Sequence, residues 1–417
     1  MNPAEAAQRV LSFRDARRVV EEHAAKPRSG TVELVDLLHA HGRLLAENLT
    51  ADRDFPPFPR AMRDGFALIA ADVAAPPSRL RVVGEVKAGA GEIDFQIRRG
   101  EAAEIMTGAP VPQAADAVVM VEYTARDGDK VEVQRSVKSG DNVVPRGAEA
   151  REGAILLSAW THLSPAAIAI AASVGKAMLH VFAKPRVAIL ATGDELVDVA
   201  ADPGPHQIRN SNTYSLAAQV EAAGAQPVIL PIAPDEKQQL HNLVQAGLSA
   251  DLLLLSGGVS MGKYDLVEQV LEELGADFFF TGAQIQPGRP VVFGRAPARG
   301  GALPTYFFGL PGNPVSTMVT FELFARTMVE ALAGLRPRPP IFLSARLKRE
   351  VKTKTGLTRF LPALLSGEYE RAEIELLPWQ GSGDVAATAR ANCFLVIPPD
   401  REKIDGGEWV SVLKVSN

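Results

Sequence analysis

The chain has 417 residues, of which 47% are hydrophobic and 22% charged, and its formal net charge is −5. This composition is typical of a folded protein, and the length favours two to four domains. With a negative net charge and no run of Lys and Arg, nothing favours binding to nucleic acid or to an anionic membrane. Cys393 is the only cysteine, which excludes an intramolecular disulfide and a Cys-based zinc site. No signal peptide or membrane-spanning run is recognised, so we expect a cytoplasmic protein.

The first part of the chain is predicted to contain two helices followed by a β-rich domain. Ser12 and Asp15 have the spacing of a capping box, and apolar residues recur at helical spacing from Phe13 to Ala25. A second helix is predicted from Thr31 to Leu45. From residue 52 prolines interrupt the pattern, and short apolar runs separated by glycine continue to about residue 140, which is typical of a small β-rich domain.

The middle of the chain is predicted to form an α/β domain. Ser164 and Pro165 begin an apolar helix that ends at Gly175. We expect this helix to pack with the helices of the first 45 residues, which makes the β-rich segment an insertion. From Pro185 to Leu335 strands alternate with helices, which predicts βαβ units in a mostly parallel sheet. The predicted strands are RVAILA, QPVILPI, DLLLLSGG, DFFFTG, PVVFG and TYFFG, and the predicted helices span residues 212–223, 235–247, 264–274 and 315–335.

The last part of the chain is predicted to be a small β domain. It follows a stiff proline-rich linker, Arg336 to Pro340. Five short strands with Gly-rich turns and no helical period predict a β-barrel or sandwich over residues 341–417. These strands are FLSARLKREV, LTRFLPALL, EIELLPW, NCFLVIPP and EWVSVLKV.

The stretch DLLLLSGGVSMGKYDL, from Asp251 to Leu266, is the best candidate for the active site. Its apolar run predicts a strand buried on both faces. Gly257, Gly258 and Gly262 then allow a sharp turn whose N–H groups could surround a phosphate at the start of the next helix. Tyr264 stands where a P-loop needs a hydroxyl to hold Mg²⁺, which argues against a P-loop nucleotidase. A Gly-rich connection without a ligand is an equally weighted alternative.

Acidic residues are expected at the same edge of the sheet, because ligands of parallel sheets bind at the carboxyl ends of the strands. This rule groups Asp194 and Glu195 with residues 256–265 and 309–316. Glu195 and Asp265 beside an anion site suggest Mg²⁺ that bridges both carboxylates to a phosphate or phosphoanhydride. The alternative is that Glu195 only caps a turn.

A series of motifs covers nearly the whole chain: PPFPRAMRDGFA, MTGAPVP, GDNVVPRGAE, ATGDEL, NSNTY, SGGVSMGKYD, QPGRPVVFG, GLPGNPVS and GSGDVAATARAN. In these motifs and their order the chain resembles the molybdopterin molybdenumtransferases, the family of MoeA and the gephyrin E domain. The resemblance implies a multidomain fold with four parts. They are an α/β molybdopterin-binding domain (1–26 and 184–335), an elongated linking domain (27–52 and 141–183), an inserted β-rich domain (53–140) and a C-terminal β-barrel domain (336–417).

The resemblance also implies the reaction and the assembly. The expected reaction is hydrolysis of adenylylated molybdopterin, with Mg²⁺ as cofactor, and transfer of molybdate to the dithiolene sulfurs, which gives molybdenum cofactor and AMP. The expected assembly is an L-shaped homodimer, with the active cleft between the α/β domain of one subunit and the β-rich domain of the other. An adenylylating enzyme and recipient molybdoenzymes are the expected partners.

Site residues are carried over from the resemblance position by position. The residues expected to be catalytic are Asp64, Thr107, Glu195, Asp235 and Asp265, with Glu195 and Asp265 as metal ligands. The residues expected to bind substrate are Ser256, Gly257, Gly258, Ser260, Gly262, Arg289, Pro311, Gly312, Asn313, Pro314, Ser316, Arg359 and Ser382. Among these, the residues expected to form the molybdate pocket are Arg289, Ser316, Arg359 and Ser382, because a tetrahedral dianion is bound by guanidinium and hydroxyl donors.

Three departures from the family pattern bear on the site. The family's Ser-Ala-Met before Asp64 is Ala-Met-Arg here, which removes a hydroxyl and adds Arg63. A tyrosine near Asp64 is replaced by Phe66. The family's Lys-Pro-Gly-Lys loop begins with Gln286, which removes a positive charge from the expected oxyanion pocket and bears on the choice between molybdate and tungstate.

Two other functions are compatible with parts of this pattern. A molybdopterin adenylyltransferase resembles only the segment from about Pro185 to Leu335 and has a GGTG-like loop where this chain has GGVS. A non-catalytic pterin-binding scaffold would retain the fold without needing the carboxylates. Replacement of Asp265 by Asn separates these functions, because only a Mg²⁺-dependent transferase needs that charge.

Overall fold

The computed structural model describes residues 9–25, 30–89, 91–258, 266–298, 304–336 and 339–414. The chain divides into two compact units. The first comprises residues 1–34, 42–44 and 180–417, and the second comprises residues 35–41 and 45–179. Within the described ranges, no helix has the length and apolar character that crossing a membrane requires.

The first unit is built around a six-stranded sheet. In spatial order its strands are Gln226–Ile229, Arg186–Ala191, Leu252–Ser256, Thr305–Leu310, Val292–Ala296 and Asp277–Phe280. Neighbouring strands pair in parallel except Val292–Ala296, which is antiparallel to both of its neighbours. The predicted mostly parallel sheet is therefore confirmed.

Helices cover both faces of this sheet, as the alternation along one strand shows. Leu252 and Leu254 pack into one core, whereas Leu253 and Leu255 pack into another, and all four are fully buried. Every residue of the central strand thus loses its contact with water, which explains why this strand reads as a continuous apolar run. The helices of the unit are Phe13–Ala24, Asn212–Ala222, Lys237–Gly247, Leu266–Glu273, Pro314–Thr320 and Arg326–Leu332, and a π-helical turn, Phe321–Ala325, joins the last two.

Near the N-terminus the two helix predictions have opposite outcomes. Phe13–Ala24 is confirmed, and Ser12 Oγ accepts the Asp15 N–H at 3.1 Å as an N-cap. The helix predicted from Thr31 to Leu45 is wrong, because the chain forms a strand, Val32–Asp36, followed by a short 3₁₀ turn. The Asp36 carboxylate accepts the Leu38 N–H at 2.8 Å, and such a local hydrogen bond competes with a continuing helix.

A closed barrel of five strands forms the C-terminal part of the first unit. The strands are Phe342–Leu347, Thr358–Ser366, Glu373–Leu376, Cys393–Ile397 and Trp409–Lys414, and their pairings return to the starting strand. The prediction of five strands is confirmed. The expectation of no helix is wrong, because Val385–Arg390 is helical and Asp384 caps it by accepting the Ala387 N–H at 2.9 Å.

The second unit is β-rich, as predicted. Its six-stranded sheet has the spatial order Ala117–Met120, Gly65–Leu68, Glu101–Ile105, Ser78–Val86, Lys130–Val133 and Thr124–Asp127. The predicted helix is present as Pro165–Ser173, capped by Ser164. It packs on Ile155–Leu157 and on the 3₁₀ turn Leu37–His39, so the expected packing against helices of the first 45 residues is wrong. The four domain boundaries implied by the resemblance stay a prediction.

Short ladders complete both units. Each pairs two segments of two or three residues or adds one such segment to the barrel. They pair Val10–Leu11 with Gly282–Ala283, Leu49–Thr50 with Ile155–Leu157, Arg60–Ala61 with Val143–Val144, Leu196–Val197 with Ile208–Arg209, Ile285–Gln286 with Thr358–Ser366, and Val351–Lys352 with Lys403–Ile404.

Candidate active site

A cleft of about 860 Å³ opens at the carboxyl ends of the central parallel strands of the first unit. Its wall is formed by the segments that follow Arg186–Ala191, Leu252–Ser256 and Thr305–Leu310, together with the starts of two helices. This is where ligands bind in open α/β sheets. The cleft collects many of the residues that the resemblance implicates, namely Glu195, Asp235, Ser256, Gly257, Gly258, Pro311, Gly312, Asn313 and Pro314.

The turn after the central strand requires glycine at two positions. Gly257 and Gly258 have φ angles of 89° and 64°. A Cβ on Gly257 would lie 2.6 Å from the backbone oxygen of Thr192, and a Cβ on Gly258 would lie 2.7 Å from the Thr192 hydroxyl. The Gly257 N–H donates to Leu310 O at 3.2 Å, so Gly257 contributes shape rather than a free donor. The predicted sharp turn is confirmed.

Two cleft residues that the sequence did not single out hold the site together. The Asn212 amide nitrogen donates to Ser256 Oγ at 2.9 Å and to Gly312 O at 2.7 Å, which joins three segments of the wall. Its Oδ1 and the hydroxyl of Thr192 are buried and have no hydrogen-bond partner in the described part of the chain. Both residues lie in motifs that carry the resemblance, so the motifs were the available signal.

Carboxylates cluster on one side of the cleft. Asp194 Oδ1 accepts the Asp235 N–H at 3.0 Å, and Glu195 lines the same wall. Burial and the negative charges of Asp194 and Glu195 raise the pKa of Asp235. Gly193, with a φ of 141°, lies under the Glu195 side chain, and a Cβ there would come within 2.7 Å of Glu195 Cδ. The turn therefore leaves room for this carboxylate only because residue 193 is glycine.

The metal site stays a prediction. Asp265, Ser260 and Gly262 lie outside the described residues. Among the residues that are described, no three acidic, histidine or cysteine side chains are close enough to hold a metal ion. Glu195 is thus the one predicted metal ligand whose position can be given.

A second cavity of about 370 Å³ adjoins the cleft. It brings together Arg289, Ser316 and Ser382, three of the four residues expected around molybdate, with Gln286 beside them. Residues lining both cavities form the wall between them: Pro290, Pro311 and Asn313. The backbone oxygen of Ser382 accepts the Val315 N–H at 3.0 Å, which ties a loop of the barrel to the start of the long helix.

Arg359 does not line this cavity. Its side chain is buried, burial lowers the pKa of its guanidinium, and Nη1 donates to the backbone oxygens of Lys354 and Leu357. Although Arg359 lies opposite Gln286 in the strand pairing, its donors are used within the barrel. Its expected role in binding molybdate is untested.

Asp64 and Thr107 are adjacent in the second unit, on its exposed surface. Asp64 Oδ1 accepts both the Thr107 N–H, at 2.6 Å, and the Thr107 hydroxyl, at 2.8 Å. These two hydrogen bonds stabilise the charged carboxylate and lower the pKa of Asp64. The pair therefore presents a fixed negative charge at neutral pH. Arg63 is also exposed beside it.

Thr107→Val is expected to raise the pKa of Asp64 without returning it to the ordinary value. The substitution removes the hydroxyl donor and keeps the backbone N–H donor, which contributes the larger part of the shift. Because the lowered pKa stabilises the fold at neutral pH and this contribution disappears as pH falls through the lowered pKa, the variant should also be less sensitive to acid. Carboxyl ¹³C NMR titration measures the change. Thr124→Val is a matched control, since the Thr124 hydroxyl donates to the backbone oxygen of Val121; equal Asp64 titration curves for wild type and Thr107→Val would contradict this account.

Three family models match the chain in order. They are the MoeA N-terminal region (domain I and II) over residues 11–175, a probable molybdopterin binding domain over residues 188–331, and the MoeA C-terminal region (domain IV) over residues 344–415. Together they span most of both compact units.

Curated relatives and solved structures agree with these matches. The molybdopterin molybdenumtransferases of Nostoc sp. and Bacillus subtilis are 35% and 34% identical, each over 92% of this chain and 88% or 89% of their own length. Two crystal structures of molybdopterin biosynthesis MoeA protein from Pyrococcus horikoshii superpose with TM-scores of 0.72 and 0.75, at 32% and 27% identity, over 98% of this chain and all of theirs. The chain therefore belongs to the molybdopterin molybdenumtransferase (MoeA) family.

Proposed function

We propose that this chain hydrolyses adenylylated molybdopterin in the 860 Å³ cleft and transfers molybdate to the dithiolene, which releases AMP and molybdenum cofactor. Family membership makes the chain a transferase of molybdenum cofactor biosynthesis that inserts molybdenum. The observation that carries the finer proposal is the pair of adjoining cavities. One is large and lined by carboxylates and a glycine turn, and the other is small and contains Arg289 with two serines.

The shared wall gives the two cavities a common purpose. Pro311 and Asn313 line both, so a dithiolene held at this wall would be within reach of an oxyanion in the smaller cavity. Arg289 supplies a rigid fork of N–H donors, and Ser316 and Ser382 supply hydroxyls, which together suit a tetrahedral dianion. The chain's own contribution is to bring two reactants together in a fixed orientation.

Mg²⁺ is the proposed cofactor, held by Glu195 and Asp265. The donor set fits a hard divalent cation, because the clustered negative charges that raise the pKa of Asp235 are unbalanced by a cation among the described carboxylate neighbours. A bound Mg²⁺ would polarise the phosphoanhydride and offset the charge that develops on its oxygens. Ser256 and Asn212 hold the wall opposite, and the Gly257–Gly258 turn lets the substrate approach the backbone closely.

The assembly and partners follow the same proposal. We propose a cytoplasmic homodimer in which the exposed, charged Asp64–Thr107 pair serves the cleft of the other subunit. An adenylylating enzyme would supply the substrate, and cofactor-free molybdoenzymes would receive the product. Neither nucleic acid nor membrane is a proposed partner.

Activation of a cofactor-free molybdoenzyme tests the proposal. Purified chain, adenylylated molybdopterin, molybdate and Mg²⁺ are expected to restore activity to the recipient, and EDTA is expected to abolish the restoration until Mg²⁺ is added back. Restoration that is equally efficient in EDTA would contradict the Mg²⁺-dependent step. Restoration by tungstate in preference to molybdate would assign the Gln286 substitution to oxyanion choice.

A further inference from the structure

The charges around the large cleft are unequal. Its described lining contains two carboxylates, Glu195 and Asp235, and a single cationic side chain, Arg209. A substrate that carries phosphate groups is itself anionic, so its entry beside these carboxylates is opposed by electrostatic repulsion. Arg209 is the described cleft residue that can offset this repulsion directly.

The backbone of Arg209 is anchored to the segment that carries Glu195. Leu196–Val197 pairs in parallel with Ile208–Arg209, with Val197 opposite Arg209. The Ile208 N–H donates to Glu195 O at 2.8 Å, and the Asn210 N–H donates to Val197 O at 2.9 Å. These bonds on both sides of Arg209 fix its distance from the Glu195 backbone. One small ribbon therefore presents both an anionic and a cationic group to the cleft.

The guanidinium of Arg209 is oriented but only partly used. Nε donates to Ala201 O at 3.0 Å, and Nη2 donates to Asp202 Oδ1 at 3.3 Å. Asp202 is fully exposed, and an ion pair of this kind contributes little because water competes for both charges. Within the described residues no protein group accepts a hydrogen bond from Nη1. The side chain is half exposed, which leaves donors free for a ligand.

We propose that Arg209 binds a phosphate group of the adenylylated pterin substrate, a role that rests on the proposed function and adds a substrate-binding residue to it. A guanidinium matches phosphate geometry because it offers two parallel N–H donors. The contact with Ala201 holds the planar group in place before substrate arrives, which lowers the entropy lost on binding. The Asp202 ion pair is exchanged for the phosphate.

Separate binding measurements with AMP and with molybdopterin test this role, using the purified full chain. Arg209→Ala is expected to weaken binding of at least one of them by roughly 10- to 100-fold, since hydrogen bonds between charged groups are lost. Arg209→Lys is expected to recover part of the affinity, because it restores the charge without the fork. In turnover, KM for the adenylylated substrate should rise more than kcat falls. The affected ligand identifies which phosphate Arg209 contacts.

Arg295→Ala is the matched control. Arg295 also forms an exposed ion pair, with Asp277 at 2.9 Å, but it lies opposite Tyr306 at the amino end of the neighbouring strand, away from the cleft. Affinities of Arg209→Ala for both ligands that equal those of Arg295→Ala would overturn the inference while wild-type turnover leaves the proposed function intact. A wild-type chain that binds neither AMP nor molybdopterin would overturn both.

Discussion

Glu195→Gln is expected to lower the rate of AMP release at saturating substrate by at least about 100-fold, because it removes a carboxylate ligand proposed for Mg²⁺. Glutamine has nearly the same shape, so the loop from Thr192 to Leu196 should keep its conformation. Single-turnover kinetics at increasing Mg²⁺ concentration measure the effect. Partial recovery at high Mg²⁺ is expected if the loss is mainly one of metal affinity.

Gly193→Ala provides an independent way to disturb the same carboxylate. Its Cβ would occupy the space of the Glu195 side chain, so the carboxylate must move although its charge remains. We expect a smaller loss of rate than for Glu195→Gln, together with some loss of stability from the positive φ. Gly91→Ala is the control, since a Cβ there meets open space. Wild-type rates for Glu195→Gln would contradict the role assigned to Glu195.

Arg326→Met is expected to destabilise the first unit by about 3–5 kcal/mol, because it leaves a buried carboxylate without its partner. Arg326 Nε and Nη2 donate to the two oxygens of Glu322 at 2.6 and 2.9 Å, and Glu330 Oε1 lies 3.8 Å from Nη1. The Glu322 side chain is only 6% exposed. Scanning calorimetry should show the corresponding transition lowered by roughly 5–15 °C.

Two controls separate charge burial from loss of packing. Arg295→Met removes an arginine from the exposed pair with Asp277, and we expect a loss of no more than about 1 kcal/mol. The double variant Glu322→Met with Arg326→Met should recover much of the stability, because no unpaired charge remains buried. A double variant as unstable as Arg326→Met alone would show that packing, not the charge, is responsible.

The sheet of the first unit could be predicted because its strands are buried on both faces. Leu252 to Leu255 must be apolar at every position, so the strand is visible as a run. Thr31 to Leu45 misled the prediction because its apolar spacing fits a helix, whereas pairing with Met178–Phe182 decides its conformation. Val385–Arg390 is too short to show a helical period, and its signal was the Asp384 cap.

The site was predictable to the extent that strand ends place it. Glu195 and Ser256 follow neighbouring strands, so the sheet rule groups them. Asp64 and Thr107 are far apart in sequence, and only the family resemblance connected them before their hydrogen bonds were seen. The buried, unpaired oxygen of Asn212 depends on three-dimensional packing and has no counterpart in a sequence pattern.

Single-turnover AMP release is the most direct test of the central claim, that the two adjoining cavities couple phosphoanhydride hydrolysis to metal transfer. Purified chain is mixed with adenylylated molybdopterin and Mg²⁺, with and without molybdate, and AMP and molybdenum cofactor are quantified over time. The account predicts that AMP release depends on the oxyanion and equals the cofactor formed. AMP release at the same rate without an oxyanion, or none with molybdate or tungstate from a folded chain, would contradict it.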